Sequence, residues 1–177
     1  MATKRRLDVL VAERGLAPSR ARAQALIIAE EFLAGGPSCL ILGDNIFHGG
    51  GLRIVLERAA GRVDGATVFG YWVKDPERYG VVEFDREFRV LSIEEKPPAP
   101  RSNYAVTGLY FLDGTASARA REVEPSPRGE LEITDVNNAY VARGQLTYDV
   151  LDGWWTDAGT FESLARANEL VQKEPPQ

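Results

Sequence analysis

The chain of 177 residues contains one cysteine, one histidine and one methionine. A single thiol excludes an internal disulfide, and the apolar setting of Cys39 in Cys39-Leu40-Ile41-Leu42 predicts a packed thiol rather than a nucleophile. One histidine leaves almost no material for histidine-dependent triads or zinc clusters; His48, in a Gly-rich loop, reads as exposed and incidental. No apolar run approaches the roughly 18 residues of a membrane helix. Lys4, Arg5 and Arg6 are placed as in a signal peptide, but Asp8, Glu13 and Arg14 interrupt the apolar stretch that should follow. Together these absences predict a cytoplasmic protein with no membrane partner. Repeats and low-complexity segments are also missing, while 44% hydrophobic and 27% charged residues supply the core and surface of an ordinary globular domain.

Charge is unevenly placed. Residues 1–22 carry Lys4, Arg5, Arg6, Arg14, Arg20 and Arg22 against Asp8 and Glu13, a net +4, which leaves −9 on the remainder of a chain whose total is −5. Such a break marks either a nucleic-acid-binding arm on an acidic body or two pieces of different origin. The basic stretch is short and has no interleaved aromatics, which disfavours nucleic acid as the partner.

Ser19 is placed as an N-cap for a helix reaching Leu33, which Gly35 and Gly36 end. Ser38–Leu42 reads as a short buried strand, Leu52–Ala60 as a helix and Ala66–Val73 as a second strand. Tyr79–Asp85 pairs with Phe88–Glu94 as a hairpin, and Tyr104–Leu112 is a further strand. Ser117–Val123 and Glu132–Ala142 read as helices, with Gln145–Leu151 a strand after them. Thr160 caps a last helix whose Phe161, Leu164, Ala165 and Val171 share a face. The alternation predicts an α/β fold with a mostly parallel sheet and a small β-hairpin.

In open α/β sheets ligands gather beyond the carboxyl ends of strands. Two such ends carry an acid among small residues: Leu42-Gly43-Asp44-Asn45 and Trp155-Thr156-Asp157-Ala158-Gly159. Two aspartates from distant strand ends suit magnesium, which takes a few carboxylate oxygens together with phosphate and water; singly, each reads as a turn or cap residue. Glu94-Glu95-Lys96-Pro97 sets a carboxylate suited to sugar hydroxyls beside an ammonium suited to phosphate, or is a solvated charge run. Arg128, on the turn Ser126-Pro127-Arg128-Gly129-Glu130, grips a phosphate or faces water. Gly49-Gly50-Gly51 lacks the lysine and spacing of a P-loop.

These pieces, in this order, resemble the glucose-1-phosphate thymidylyltransferases, a family of sugar nucleotidylyltransferases. The matching runs are Leu42-Gly43-Asp44-Asn45, Asp75-Pro76-Glu77-Arg78-Tyr79-Gly80-Val81-Val82, Glu94-Glu95-Lys96-Pro97, Ser102-Asn103-Tyr104-Ala105-Val106-Thr107-Gly108-Leu109-Tyr110, Gly129-Glu130-Leu131-Glu132-Ile133-Thr134-Asp135 and Trp155-Thr156-Asp157-Ala158-Gly159-Thr160. The resemblance implies a Rossmann-like nucleotidyltransferase sheet that transfers a nucleotidyl group from dTTP to glucose 1-phosphate with Mg2+. It implies that Asp44 and Asp157 hold the metal and that Asn45 lies beside the nucleotide sugar. Gly80, Glu95 and the Val106 backbone would contact the glucosyl hydroxyls, and Lys96 and Arg128 the sugar phosphate. Asp44, Lys96 and Arg128 are thereby the expected catalytic groups.

The resemblance covers residues 23–173. The family's opening strand and Gly-rich loop, Gly-Gly-x-Gly-Thr-Arg-Leu, have no counterpart in the 177 residues. Residues 1–28 instead resemble the start of hemolysin-A-type ribosomal RNA methyltransferases, so the expected division is a foreign helical segment over 1–22 and a partial nucleotidylyltransferase domain over 23–177. The expectation is a sheet truncated at its N-terminal strands, a chain inactive by itself, and an uncovered edge at Leu40-Ile41-Leu42 that favours a homo-oligomer. The other readings are an RNA-binding protein acting through its basic N-terminus, and a non-catalytic sugar-phosphate module.

Overall fold

The structure is a computed structural model that describes residues 29–126 and 131–173. Of the helix expected to reach Leu33, its last turn, α1 (Glu30–Leu33), lies among them; the division at residue 22 and the capping Ser19 lie outside. The elements that follow are β1 (Ser38–Ile41), β2 (Asn45–His48), α2 (Leu52–Ala60), β3 (Ala66–Trp72), β4 (Gly80–Phe84), β5 (Val90–Glu95) and β6 (Tyr104–Leu112). After them come α3 (Ala116–Glu122), α4 (Ile133–Val141), β7 (Leu146–Val150), β8 (Trp154–Asp157) and α5 (Phe161–Lys173).

The main sheet has the order β5-β4-β6-β3-β7, with β1 paired to β6 off that path. Strand β6 is its spine: Leu109–Leu112 pair with β1 on one edge, Ala105 pairs with Val81 of β4, and β3 runs along the other edge. The α/β class holds, and β1, β3, β4 and β7 all point the same way. The expectation of mostly parallel pairing needs correction, because β6 runs against β1, β3 and β4, and among the described residues only β3 and β7 are parallel neighbours. A nearly continuous apolar run such as β6 is buried on both faces whichever way it points, so its composition carries no direction.

Alternation divides the core between the two sheet faces. Val68 and Tyr110 pack with Ala116, Ala120, Ile133, Val136 and Tyr140 of α3 and α4. Their chain neighbours Phe69 and Leu109 face the opposite way, onto Leu52, Val55, Leu56 and Ala59 of α2. Those four residues fall at the i, i+3, i+4, i+7 spacing of one helix face, which is why this stretch is a helix that docks. Beneath the first layer Asp113 is buried and accepts hydrogen bonds from Gly65 N (2.8 Å), Thr115 N (2.9 Å), Thr115 Oγ1 (2.6 Å) and Tyr140 Oη (2.7 Å). Burial pushes this carboxyl up, but the bonds to its ionised form outweigh that and hold it below its ordinary range. Burial pushes the Tyr140 phenol up to about 12.

A second, two-stranded sheet joins β2 to β8, with Asn45 opposite Asp157 and His48 opposite Trp154. The ring of His48 stacks on that of Trp154 with centroids 5.3 Å apart, so the histidine is part of this ribbon rather than incidental. Cys39 is exposed, not packed: on β1 Leu40 turns toward the core, while Cys39 and Ile41 turn outward. Desolvation still raises its thiol above the ordinary range, so it is not an activated nucleophile. On α5 the expected apolar face is exposed at Phe161, Leu164, Ala165 and Val171; the buried position is Ala167.

Candidate active site

Asp44 follows the carboxyl end of β1, and Asp157 closes β8. The β2/β8 ladder brings them together, since Asn45 and Asp157 are direct partners and Ala158 N donates to the Asp44 carbonyl at 2.7 Å. Gly159 measures the result: a Cβ there would sit 2.9 Å from Asp157 Oδ1 and 3.2 Å from Asp44 Oδ2. The two carboxylates thus border one small space that the missing side chain keeps open. They line an open cleft of about 800 Å³ together with Arg78, Glu95, Lys96 and Glu132.

Glu95 ends β5 and is fixed from below. Thr134 Oγ1, at the start of α4, donates to its Oε2 at 2.8 Å, and a Cβ at Gly80 would lie 3.3 Å from that oxygen. Lys96 has φ +47°, a left-handed conformation that costs a non-glycine residue about 1 kcal/mol or more. Its backbone N–H donates to the Tyr79 carbonyl at 2.9 Å, and its Nζ lies 4.0 Å from Glu95 Oε1. Arg78 is a second cation in the cleft, which the charge pattern alone did not single out; its Nη1 donates to Asp75 Oδ2 at 2.7 Å. The signal was local, a one-turn helix Pro76–Arg78 opened by Asp75-Pro76. Burial, with a smaller contribution from the charge of Glu95, pushes the Asp135 carboxyl above its ordinary range beside the same wall.

Asn45, Gly80 and Val106 are not among the residues that border the cleft. Asn45 lies beside Asp44, with Nδ2 donating to Asp44 Oδ1 at 2.9 Å. The side chain of Val106 is in the core, and Gly80 sits against Glu95. Arg128 lies outside the described residues. A separate recess of about 190 Å³, bordered by Ser38, Cys39, Arg62 and Thr67, lies at the amino ends of β1 and β3 and holds no carboxylate pair.

A family model described as "Nucleotidyl transferase" matches residues 4–174. The chain belongs to this family. Among its curated relatives, a glucose-1-phosphate thymidylyltransferase from Xanthomonas campestris pv. campestris (strain B100) is 59% identical over 152 residues, which are 85% of this chain and 52% of that protein. One from Neisseria gonorrhoeae is 57% identical over 85% of this chain and 53% of its own. The chain therefore spans about half the length of the curated relatives it matches. A solved structure from Bacillus anthracis, described as a glucose-1-phosphate thymidylyltransferase in complex with a sucrose, superposes with a TM-score of 0.78 at 45% identity, covering 90% of this chain and 65% of that one. A UDP-glucose pyrophosphorylase complexed with UDP-glucose superposes at 0.75, covering 87% of this chain and 62% of that one; at 22% identity it supports the nucleotidyl transferase fold alone.

Asp44 and Asp157 are the metal-ligand candidates in this family member. Among the described residues no group of three or more His, Cys, Asp and Glu side chains is arranged to hold a metal. Two carboxylates bordering a kept space do not suit a closed all-protein cage, but they fit magnesium, which uses one or two carboxylates and completes its shell with phosphate and water. No helix among the described residues is long and apolar enough to cross a membrane.

Proposed function

We propose that this chain carries the sugar-phosphate and metal-binding side of a glucose-1-phosphate thymidylyltransferase. In the reaction of that family, a phosphate oxygen of glucose 1-phosphate attacks the α-phosphorus of dTTP, pyrophosphate leaves, and dTDP-glucose forms. The observation that carries the reading is the convergence of Asp44 and Asp157 in one cleft with Glu95 and Lys96. No covalent protein nucleophile is required, because the chemistry asks only for alignment and for neutralisation of crowded negative charge.

In this reading Glu95, held by Thr134, accepts sugar hydroxyls in a fixed direction. Lys96, with Arg78 nearby and Arg128 by resemblance, neutralises the sugar phosphate so that its oxygen can approach a second anion. Asp44 and Asp157 would hold Mg2+, which when bound supplies charge neutralisation on the transferring phosphoryl group. The 177 residues contain no Gly-Gly-x-Gly-Thr-Arg-Leu loop to cradle the triphosphate. Binding without turnover is therefore expected of this chain by itself, in the cytoplasm.

Isothermal titration of glucose 1-phosphate into the full chain tests the reading. Saturable binding that weakens about tenfold or more in Lys96→Ala and in Glu95→Gln supports it. Wild-type binding absent to millimolar concentration, or unchanged in both variants, overturns the sugar-phosphate assignment. Pyrophosphate release from dTTP and glucose 1-phosphate, abolished by Asp44→Ala, overturns the inactivity.

A further inference from the structure

Asn45 makes more contacts than a residue placed only beside a nucleotide sugar needs. Its Oδ1 accepts two hydrogen bonds, from Gly108 N at 2.8 Å and from Trp155 Nε1 at 2.7 Å. Both partners are donors with no acceptor capacity, so the oxygen of the amide has to face them. That settles the flip of the side chain, and the NH2 end is left toward Asp44, where Nδ2 donates to Oδ1 at 2.9 Å. Trp155 is itself packed in: it is 6% exposed and meets Tyr71 and Tyr79 edge-on, with centroids 5.9 and 5.4 Å away. On the other side, β6 approaches so closely that a Cβ at Gly108 would lie 2.6 Å from Asn45 Cγ and Oδ1.

We infer that Asn45, clamped by the Trp155 indole and the Gly108 backbone, is the positioning residue that aims Asp44 at the metal. The inference rests on the metal reading of Asp44 and Asp157 and adds a role for Asn45 that acts through Asp44. With Oδ1 of Asp44 occupied by the amide, Oδ2, the oxygen beside Gly159, is presented to the shared space. The carboxylate otherwise rotates freely about χ2, because Asp44 is exposed. Partners of this kind orient metal ligands in other sites, and their loss costs about tenfold or more in metal affinity.

The test is Mn2+ binding to the full chain by electron paramagnetic resonance, with Mn2+ as the magnesium surrogate. Wild type is compared with Asp44→Asn, Trp155→Phe, Asn45→Ala and the Trp155→Phe/Asn45→Ala pair. The expected result is a weakening of about tenfold in each single variant of the clamp, with the pair no worse than Asn45→Ala, because both act through one amide. Thermal melts run in parallel separate this from general loosening. A second measurement needs no variant of the clamp: the Trp155 indole N–H cross-peak should shift on adding Mg2+, and should stay still in Asp44→Asn. Wild-type Mn2+ binding that Asp44→Asn removes, but that Trp155→Phe and Asn45→Ala leave intact, overturns the positioning role alone, as does a still indole peak. No Asp44-dependent Mn2+ binding in wild type overturns the metal reading and the positioning role with it.

Discussion

A methyl group placed on Gly159 would meet Asp157 Oδ1 and Asp44 Oδ2 at once. Its backbone lies outside the left-handed region, so alanine is conformationally acceptable there, and the damage falls on the space between the carboxylates. Gly159→Ala is expected to leave the melting temperature within a few degrees and to weaken Mn2+ binding at least tenfold; a shared loss of both would point to misfolding instead. Asp113 is the contrasting residue, buried and remote from chemistry. Asp113→Asn gives up charge-assisted bonds and should cost about 2–3 kcal/mol at pH 7. The sign with pH follows from a folded carboxyl held below its ordinary value of 3.8. Its contribution is complete above the unfolded value and is lost as pH falls through the lower folded one. Urea titrations should therefore show the gap between wild type and Asp113→Asn narrowing below about pH 4.

The β2/β8 ribbon is the element on which the site depends, and two glycines permit it. Gly153 has φ +94°, and a Cβ there would overlap His48 O and lie 2.6 Å from Gly49 Cα, all backbone. Gly153→Ala is expected to lower the melting temperature by roughly 5 °C or more, from about 1–3 kcal/mol of left-handed strain plus the overlap. Calorimetry checks it, and an unchanged melt would mean that the loop relaxes freely. The ribbon was also the least legible element in the sequence. Leu52–Ala60 and Tyr104–Leu112 carry long, clear patterns and occupy the expected residues, whereas Asn45–His48 and Trp154–Asp157 are four residues each. Strands so short show too little alternation to separate from the flanking Gly-rich turns. Of the residues that border the cleft, Asp44, Glu95, Lys96 and Asp157 were legible because motif order places them at strand ends. Arg78 and the Asn45–Trp155 clamp were not, since each depends on a contact that only the folded chain creates.

For the molecule as a whole, the feature that governs its behaviour in solution is an edge of the main sheet. Among the described residues β1 pairs on one side only, with β6, and Ile41 on it is 56% exposed. An apolar strand with unpaired backbone groups is a template for another chain. Light scattering coupled to size exclusion, across a dilution series, should show a concentration-dependent dimer or larger species. A monomer at every concentration would mean that the edge is covered. The cleft has a further consequence at this scale, one of timing. Asn45 and Trp155 are 110 residues apart in the chain, and such a contact closes only against a large loss of loop entropy. A ligand that needs both Asp44 and Asp157 finds no partial site in the unfolded ensemble. It binds the folded state alone, contributing about 2.7 kcal/mol at a hundredfold excess over its dissociation constant. The concentration of such a ligand thereby becomes a determinant of how long each copy of the protein stays folded.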